Sequence, residues 1–102
     1  MRVNVTTHTL KTWPQYFDAV ARGEKTYEVR KNDRGFQRGD VVVLQRTYED
    51  ATHHVETDGM GKPKHELRFR IGYVLTGGQF GIADGYCVFS LLPLEEEARD
   101  AR

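Results

Sequence analysis

The sequence has very little of what disulfide scaffolds, zinc modules and membrane proteins require. Its only cysteine is Cys87, so no internal disulfide and no CxxC metal site can form. Because Cys87 stands among apolar residues, we expect a buried, unreactive thiol. No apolar run approaches the roughly 18 residues of a transmembrane helix, and the first residues lack the apolar centre of a signal peptide. The expectation is a cytoplasmic protein without membrane contact.

A net charge of either sign is also missing, because 15 basic and 15 acidic residues cancel. The overall charge therefore excludes a strongly basic nucleic-acid binder but leaves local patches open. Basic residues gather within positions 30–38 and again within 62–70, whereas acidic residues gather within 95–100. A basic surface is thus compatible with a neutral total.

The length of 102 residues suits one domain with a modest core. We expect a single domain over residues 1–94 and an acidic C-terminal tail over residues 95–102. Three histidines occur in the loop region, His53, His54 and His65, but no cysteine or ordered carboxylate accompanies them. They are weak evidence for a metal site, so neither a metal nor a cofactor is predicted.

One amphipathic helix is predicted near the N-terminus. Thr12 is a candidate N-cap, Pro14 suits the first turn, and apolar residues recur at helical spacing as far as Arg22. Gly23 then supplies a C-terminal stop.

About five strands are predicted around this helix, mostly antiparallel because the connections have hairpin length. The predicted strands cover residues 3–9, 25–31, 41–48, 67–75 and 86–92. In residues 67–75, Leu67, Phe69, Ile71, Tyr73 and Leu75 alternate with the intervening residues, as in a half-buried strand. Residues 50–65 are predicted to form a long hairpin loop. The fold class is therefore α+β, a small sheet that closes or curls to cover its edges.

The most informative segment is the charged strand at residues 25–31. The two-residue period of a strand places Thr26, Glu28 and Arg30 on one face, and Tyr27, Val29 and Lys31 on the other. Neither face is purely apolar, so core packing alone does not explain the pattern. A polar cleft is one interpretation, and a solvated edge strand with a surface ion pair is the other.

Several motifs, in this order, resemble the ASCH (activating-signal-cointegrator homology) domain, in particular its small bacterial and phage branch of unknown function. The motifs are His8-x-Leu10-Lys11, Pro14-x-Tyr16-Phe17-x-Ala19-Val20, Gly23-x-Lys25-Thr26-x-Glu28-x-Arg30-Lys31-Asn32-Asp33-Arg34, Gly39-Asp40, Gly77-Gly78-x-Phe80-Gly81 and Gly85-Tyr86. The resemblance implies a small PUA-like, mostly antiparallel β-barrel of five to six strands with one main helix at its side. It also implies a cleft lined by Lys25, Glu28 and Arg30 that binds RNA or a nucleotide within it.

The chemistry of these three residues suits such a ligand. Lys25 can hold a phosphate as a point charge, or act as a base if desolvated. Arg30 offers a planar fork for phosphate or for stacking on a base. Glu28 can accept hydrogen bonds from a base edge, or else it orients Lys25 and Arg30 as a structural ion pair. Thr26 is either a minor polar contact or simply a strand former.

Further contacts to RNA or a nucleotide are predicted on both sides of the charged strand. They are His8, which is either a cleft residue or a hydrogen-bonded structural histidine, and the basic residues Lys31, Arg34 and Arg38. Seven aromatic residues are available as stacking platforms: Trp13, Tyr16, Tyr27, Phe36, Tyr48, Phe80 and Tyr86. Phe36 and Phe80 are preferred among them because they stand in glycine-containing loops.

Two other functions stay open. Some ASCH relatives hydrolyse N4-acetylcytidine and others cleave RNA, so Lys25 and Glu28 could form an acid–base pair in a hydrolase. Glu28 stands where the hydrolase relatives look to have a catalytic threonine, which weakens the amidohydrolase hypothesis. A protein-interaction adaptor that uses the acidic tail or the histidine-containing loop is a third possibility.

Overall fold

The computed structural model describes residues 4–94, which form one helix and five strands. In chain order these are β1 (Thr7–Thr12), α1 (Pro14–Ala21), β2 (Tyr27–Lys31), β3 (Val41–Arg46), β4 (Glu66–Thr76) and β5 (Tyr86–Pro93). Residues 95–102, where the acidic tail is predicted, lie outside the described residues. No helix within residues 4–94 is long and apolar enough to cross a membrane.

The five strands form one sheet in the order β1-β3-β4-β5-β2. Strand β1 is parallel to β3, while the other three pairings are antiparallel. The sheet curls into a half-barrel, and Phe17 and Val20 of α1 are buried in the same core as residues of β1, β3, β4 and β5. The predicted α+β fold, mostly antiparallel and with one helix, is confirmed at this level.

Arginine side chains connect the two edge strands, β1 and β2. Arg30 of β2 donates from Nη1 to the carbonyl of Lys11 (2.9 Å) and from Nη2 to Oγ1 of Thr12 (3.1 Å). Arg34, just after β2, donates to the carbonyl of Thr9 (3.0 Å). These bonds satisfy polar groups of β1 that a neighbouring strand would otherwise pair, so the edge is covered without further backbone pairing.

The core lies on the concave side of the sheet. Alternate residues of β1 (His8, Leu10 and Thr12) are buried, as the two-residue strand period requires. Cys87 of β5 is completely buried, and this burial raises the pKa of its thiol. The predicted burial of this cysteine is confirmed.

The first described residues depart from the prediction, and residue 3 of the predicted strand lies outside the described residues. Strand β1 begins at Thr7 and continues to Thr12, and α1 follows with Trp13 at its N-cap, where no side chain caps the helix. Thr12 is not the N-cap, because its hydroxyl donates to the carbonyl of Leu10 and its own carbonyl accepts from Thr47 N. Gly23, with φ of +79°, ends the helix region as predicted.

Strand β4 also departs from strict alternation. The pairing of β4 with β5 shifts in register between Ile71 and Val74, as at a β-bulge. Gly72 allows this close approach, since a Cβ there would lie 2.4 Å from Ser90 Oγ. Tyr73 is turned outward and is 60% exposed, so its predicted place on the same face as Ile71 is wrong.

The connection between β3 and β4 is a hairpin with some order of its own. Isolated bridges pair Thr47 with Val55 and Thr57 with Pro63. The loop predicted over residues 50–65 is therefore present, but two isolated β-bridges draw its two sides together.

Candidate ligand-binding cleft

A cleft of about 390 Å³ opens where the end of β1, the start of α1 and strand β2 meet the β3–β4 hairpin. Its volume falls in the range of small-molecule sites in proteins. The lining residues are Lys11, Thr12, Trp13, Tyr16, Lys25, Tyr27, Glu28, Val29, Arg30 and His53.

The charged groups of Lys25, Glu28 and Arg30 converge in this cleft. Lys25 Nζ donates to Glu28 Oε2 (2.5 Å) and to the carbonyl of Tyr27 (2.6 Å). Arg30 reaches the other carboxylate oxygen, Oε1, from Nε (2.9 Å) and Nη2 (2.8 Å). The structure thus brings together the three head groups that the charged strand singles out in the sequence.

Glu28 is the organising residue of this group, because its side chain is only 4% exposed and both of its oxygens are bonded. A buried carboxylate is retained only when cations and hydrogen bonds compensate its lost hydration. Of the two roles considered for Glu28, the geometry matches the one in which it orients Lys25 and Arg30.

Strand β2 turns a charged side chain inward and apolar side chains outward, the reverse of an ordinary strand, and this explains how it lines a polar cleft. Glu28 points inward, while its neighbours Tyr27 and Val29 are 46% and 51% exposed. An ordinary edge strand would bury Val29 instead. The polar face can point inward because Lys25 and Arg30, on the same segment, neutralise the carboxylate.

Aromatic rings surround the charged groups. Lys25 Nζ lies 4.9 Å from the ring centroid of Tyr27 and 5.7 Å from that of Tyr16, within cation–π range. Trp13 stacks on His53 with centroids 3.8 Å apart and planes 22° apart. Tyr16, Tyr27 and Trp13 are all more than a third exposed, so their rings are open to a ligand.

The cleft carries an excess of positive charge. Lys11, Lys25 and Arg30 line it together with the single carboxylate of Glu28. Burial, followed by the charges of Lys11 and Arg30, holds the pKa of His53 below its usual value of 6.5. At neutral pH the cleft therefore contains a neutral imidazole beside three cations.

Comparison with known proteins identifies the family. A family described as a domain of unknown function (DUF3850) matches residues 7–91, which is most of the chain. The chain belongs to the DUF3850 family. An uncharacterized 12.9 kDa protein in the GpA 3′ region of Escherichia phage P2 is 46% identical over 37 residues. This match covers 36% of the chain and only 34% of the phage protein.

The DUF3850 match includes β1 to β3 and therefore the charged residues of the cleft.

The other residues predicted to contact RNA or a nucleotide lie outside the cleft. Thr26 is exposed just before β2, and Lys31 is exposed at the other end of that strand. Arg34 reaches β1, while the guanidinium of Arg38 lies 5.6 Å from the ring centroid of Tyr73. None of these four residues lines the cleft.

The three remaining predicted residues lie outside the cleft as well. Phe36 is 5% exposed and packs against His8 and Phe89, so its predicted role as an open stacking platform is wrong. Although the loop contains glycine, the ring of Phe36 is not exposed, because it packs into the hydrophobic core. His8 is the structural histidine of the two alternatives, buried and 2.9 Å from Asp40 Oδ2. Phe80 is 84% exposed in the loop after β4, apart from the cleft lining.

Other cleft residues were missed or undervalued in the sequence. Lys11 stands in the first motif, and Trp13, Tyr16 and Tyr27 are among the aromatic candidates, but their local sequence does not distinguish them as cleft residues. The sequence suggests His53 as a weak metal ligand or as part of a protein-interaction loop, but not as a cleft residue. Residues 4–94 contain no group of three His, Cys, Asp or Glu that could hold a metal. A single sequence carries no signal that brings His53 beside Trp13.

Proposed function

We propose that this protein binds single-stranded RNA, or a nucleotide within it, in the cleft beside β2. The observation that carries the proposal is the combination of an open, positively charged cleft with three exposed aromatic rings. Proteins that bind single strands commonly pair a basic groove with aromatic platforms for the bases.

The residues of the cleft suit different parts of such a ligand. Lys11 is exposed, and Lys25 uses two of its three ammonium protons on Tyr27 and Glu28, so both lysines keep donors for a phosphate. The guanidinium of Arg30 is hydrogen-bonded to Glu28, Lys11 and Thr12. Its proposed role is therefore to supply positive charge and to join the two sides of the cleft, rather than to bind a phosphate with two unoccupied N–H groups. Tyr16, Tyr27 and Trp13 are the proposed stacking residues.

The resemblance to the ASCH domain and its PUA-like fold supports the same function. Under this proposal, the half-barrel with its helix corresponds to the PUA-like barrel, and the cleft of Lys25, Glu28 and Arg30 to the expected nucleotide site. Lys31, Arg34 and Arg38 would then contact phosphates of the RNA strand outside the cleft. Phe80 would stack on a base farther along the strand.

The test is fluorescence anisotropy with a labelled single-stranded oligo(U) at several salt concentrations. We expect Lys25→Ala and Lys11→Ala to weaken binding and to reduce the slope of log affinity against log salt by about 0.7 for each phosphate that the variant no longer neutralises. Lys62→Ala is the matched control, since it removes an exposed lysine of the β3–β4 hairpin that does not line the cleft. Wild-type binding by folded Lys11→Ala and Lys25→Ala would exclude the cleft as the RNA site.

A hydrolase acting on an acylated cytidine or on RNA is the second candidate, and the direct bond between Lys25 and Glu28 favours it. The pair could transfer a proton during hydrolysis. Incubation with N4-acetylcytidine and with RNA, followed by mass spectrometry, distinguishes turnover from binding alone. Product that forms equally with Lys25→Ala would come from another site.

A further inference from the structure

His53 is held firmly although it lies in a hairpin. Its backbone is in the left-handed region (φ of +53°), which is rare for residues other than glycine. Asp50 O accepts from His53 N (3.3 Å), and His54 O accepts from Tyr48 N (2.9 Å), so hydrogen bonds fix the backbone on both sides. The imidazole therefore has a defined position on Trp13 at the cleft wall.

The two ring nitrogens of His53 have different surroundings. Nδ1 lies 3.1 Å from Thr47 Oγ1, and this hydroxyl also lies within donating distance of the carbonyl of Thr12 (3.4 Å). With the hydroxyl donating to Thr12, its oxygen accepts from Nδ1–H, and this arrangement assigns the proton of the neutral ring to Nδ1. Nε2 then keeps a lone pair, and it has no hydrogen-bond partner within residues 4–94.

The charges around the imidazole come from both edge strands. Lys11 on β1 and Arg30 on β2 oppose its protonation, and Lys25 lies in the same cleft. The carboxylate of Glu28 is already paired with Lys25 and Arg30. Thr47 and Trp13, which contact the ring, carry no charge. An anion in the cleft would offset these cations and favour the imidazolium.

We propose that His53 is a further ligand-binding residue of the cleft, which takes up a proton from solvent when anionic RNA binds and donates its Nε2–H to a phosphate oxygen. No covalent bond to the ligand forms. This inference rests on the proposed RNA-binding function, and it predicts that RNA binding strengthens as the pH falls.

The experiment measures oligo(U) affinity by anisotropy from pH 5 to pH 8. Oligo(U) suits this purpose because neither its phosphodiesters nor its bases titrate in that range. Wild-type affinity should rise on acidification, by about tenfold for each unit by which binding raises the pKa of His53. His53→Phe keeps a flat ring against Trp13 but should lose this dependence, and His53→Gln is a second variant in case His53→Phe fails to fold. His54→Phe, which alters the exposed neighbouring histidine, is the control and should behave as wild type.

A second readout is the NMR titration of the His53 imidazole with and without oligo(U). Binding should raise the pKa of this imidazole. An unchanged pKa, or a His53→Phe protein that keeps the wild-type pH dependence, overturns the role of His53 while RNA binding stands. Absence of oligo(U) binding by the folded wild-type protein at every pH overturns the proposed function, and this inference with it.

Discussion

Glu28 shows how one buried carboxylate determines the chemistry of its surroundings. Its two oxygens hold the ammonium of Lys25 and the guanidinium of Arg30, and Arg30 in turn bonds the opposite edge strand at Lys11 and Thr12. The carboxylate therefore links the shape of the cleft to its positive charge. Removing the charge on Glu28 would leave two cations close together without their partner.

We expect Glu28→Gln to lower the free energy of unfolding by about 1–3 kcal/mol, because both ion pairs are mostly buried and lose their anion. Urea unfolding followed by circular dichroism measures the change. Glu24→Gln is the matched control, since Glu24 is 67% exposed in its pair with Arg22 and should change stability by less than about 1 kcal/mol. Equal effects of the two substitutions would contradict the structural role given to Glu28.

At the scale of elements, Arg46 joins three parts of the molecule. From β3 it binds both carboxylate oxygens of Asp18 on α1 (2.9 Å each) and both oxygens of Glu56 in the β3–β4 hairpin (2.8 and 2.9 Å). This planar, two-sided arrangement needs a guanidinium, which an ammonium cannot replace. Arg46 thereby positions the helix that carries Tyr16 and the hairpin that carries His53.

Arg46→Lys should loosen α1 and residues 50–57 while the central strands stay protected. Hydrogen exchange measured by mass spectrometry is the readout, and we expect faster exchange in those two segments than in β4 and β5. Arg22→Lys is the matched control, because Arg22 follows α1 directly and its ion pair is with the exposed Glu24. Unchanged exchange in both segments would contradict this role of Arg46.

At the scale of the whole molecule, several groups couple stability to pH, and Asp18 and His53 are two of them. Hydrogen bonds from Arg46 keep the pKa of Asp18 below its usual 3.8, against the opposing effect of burial. Burial, together with Lys11 and Arg30, keeps the pKa of His53 below 6.5. Since the unfolded chain binds protons more tightly at both groups, each contributes stability that is present at higher pH and is lost on acidification.

The stability of the protein should therefore fall in two steps as the pH decreases. The first step begins near pH 6.5 and should be absent in His53→Phe, and the second begins near pH 4 and should be smaller in Asp18→Asn. Each step is modest, below about 1 kcal/mol for Asp18 because its side chain is 46% exposed. Urea unfolding at a series of pH values measures both, and parallel curves for wild type and variants would contradict the assignment.

What the sequence determines by itself is local. Gly23 ends the helix region because it adopts a positive φ easily, and the two-residue period of β2 places Glu28 beside Arg30 on one face. Lys25, Glu28 and Arg30 come together because the first and the last are only five positions apart in the chain. The mostly antiparallel α+β class, the single helix and the buried Cys87 follow from equally local patterns of apolar and turn residues.

The tertiary structure alone decides which distant segments meet. Strand β1 is an edge strand parallel to β3. The curl of the sheet then brings Lys11 beside Arg30 of β2, and Trp13 beside His53. The same packing takes Phe36 into the core, although its loop composition suggested exposure. Strand order and curl arise from many weak contacts between residues far apart in the chain, and a local pattern contains no information about those contacts.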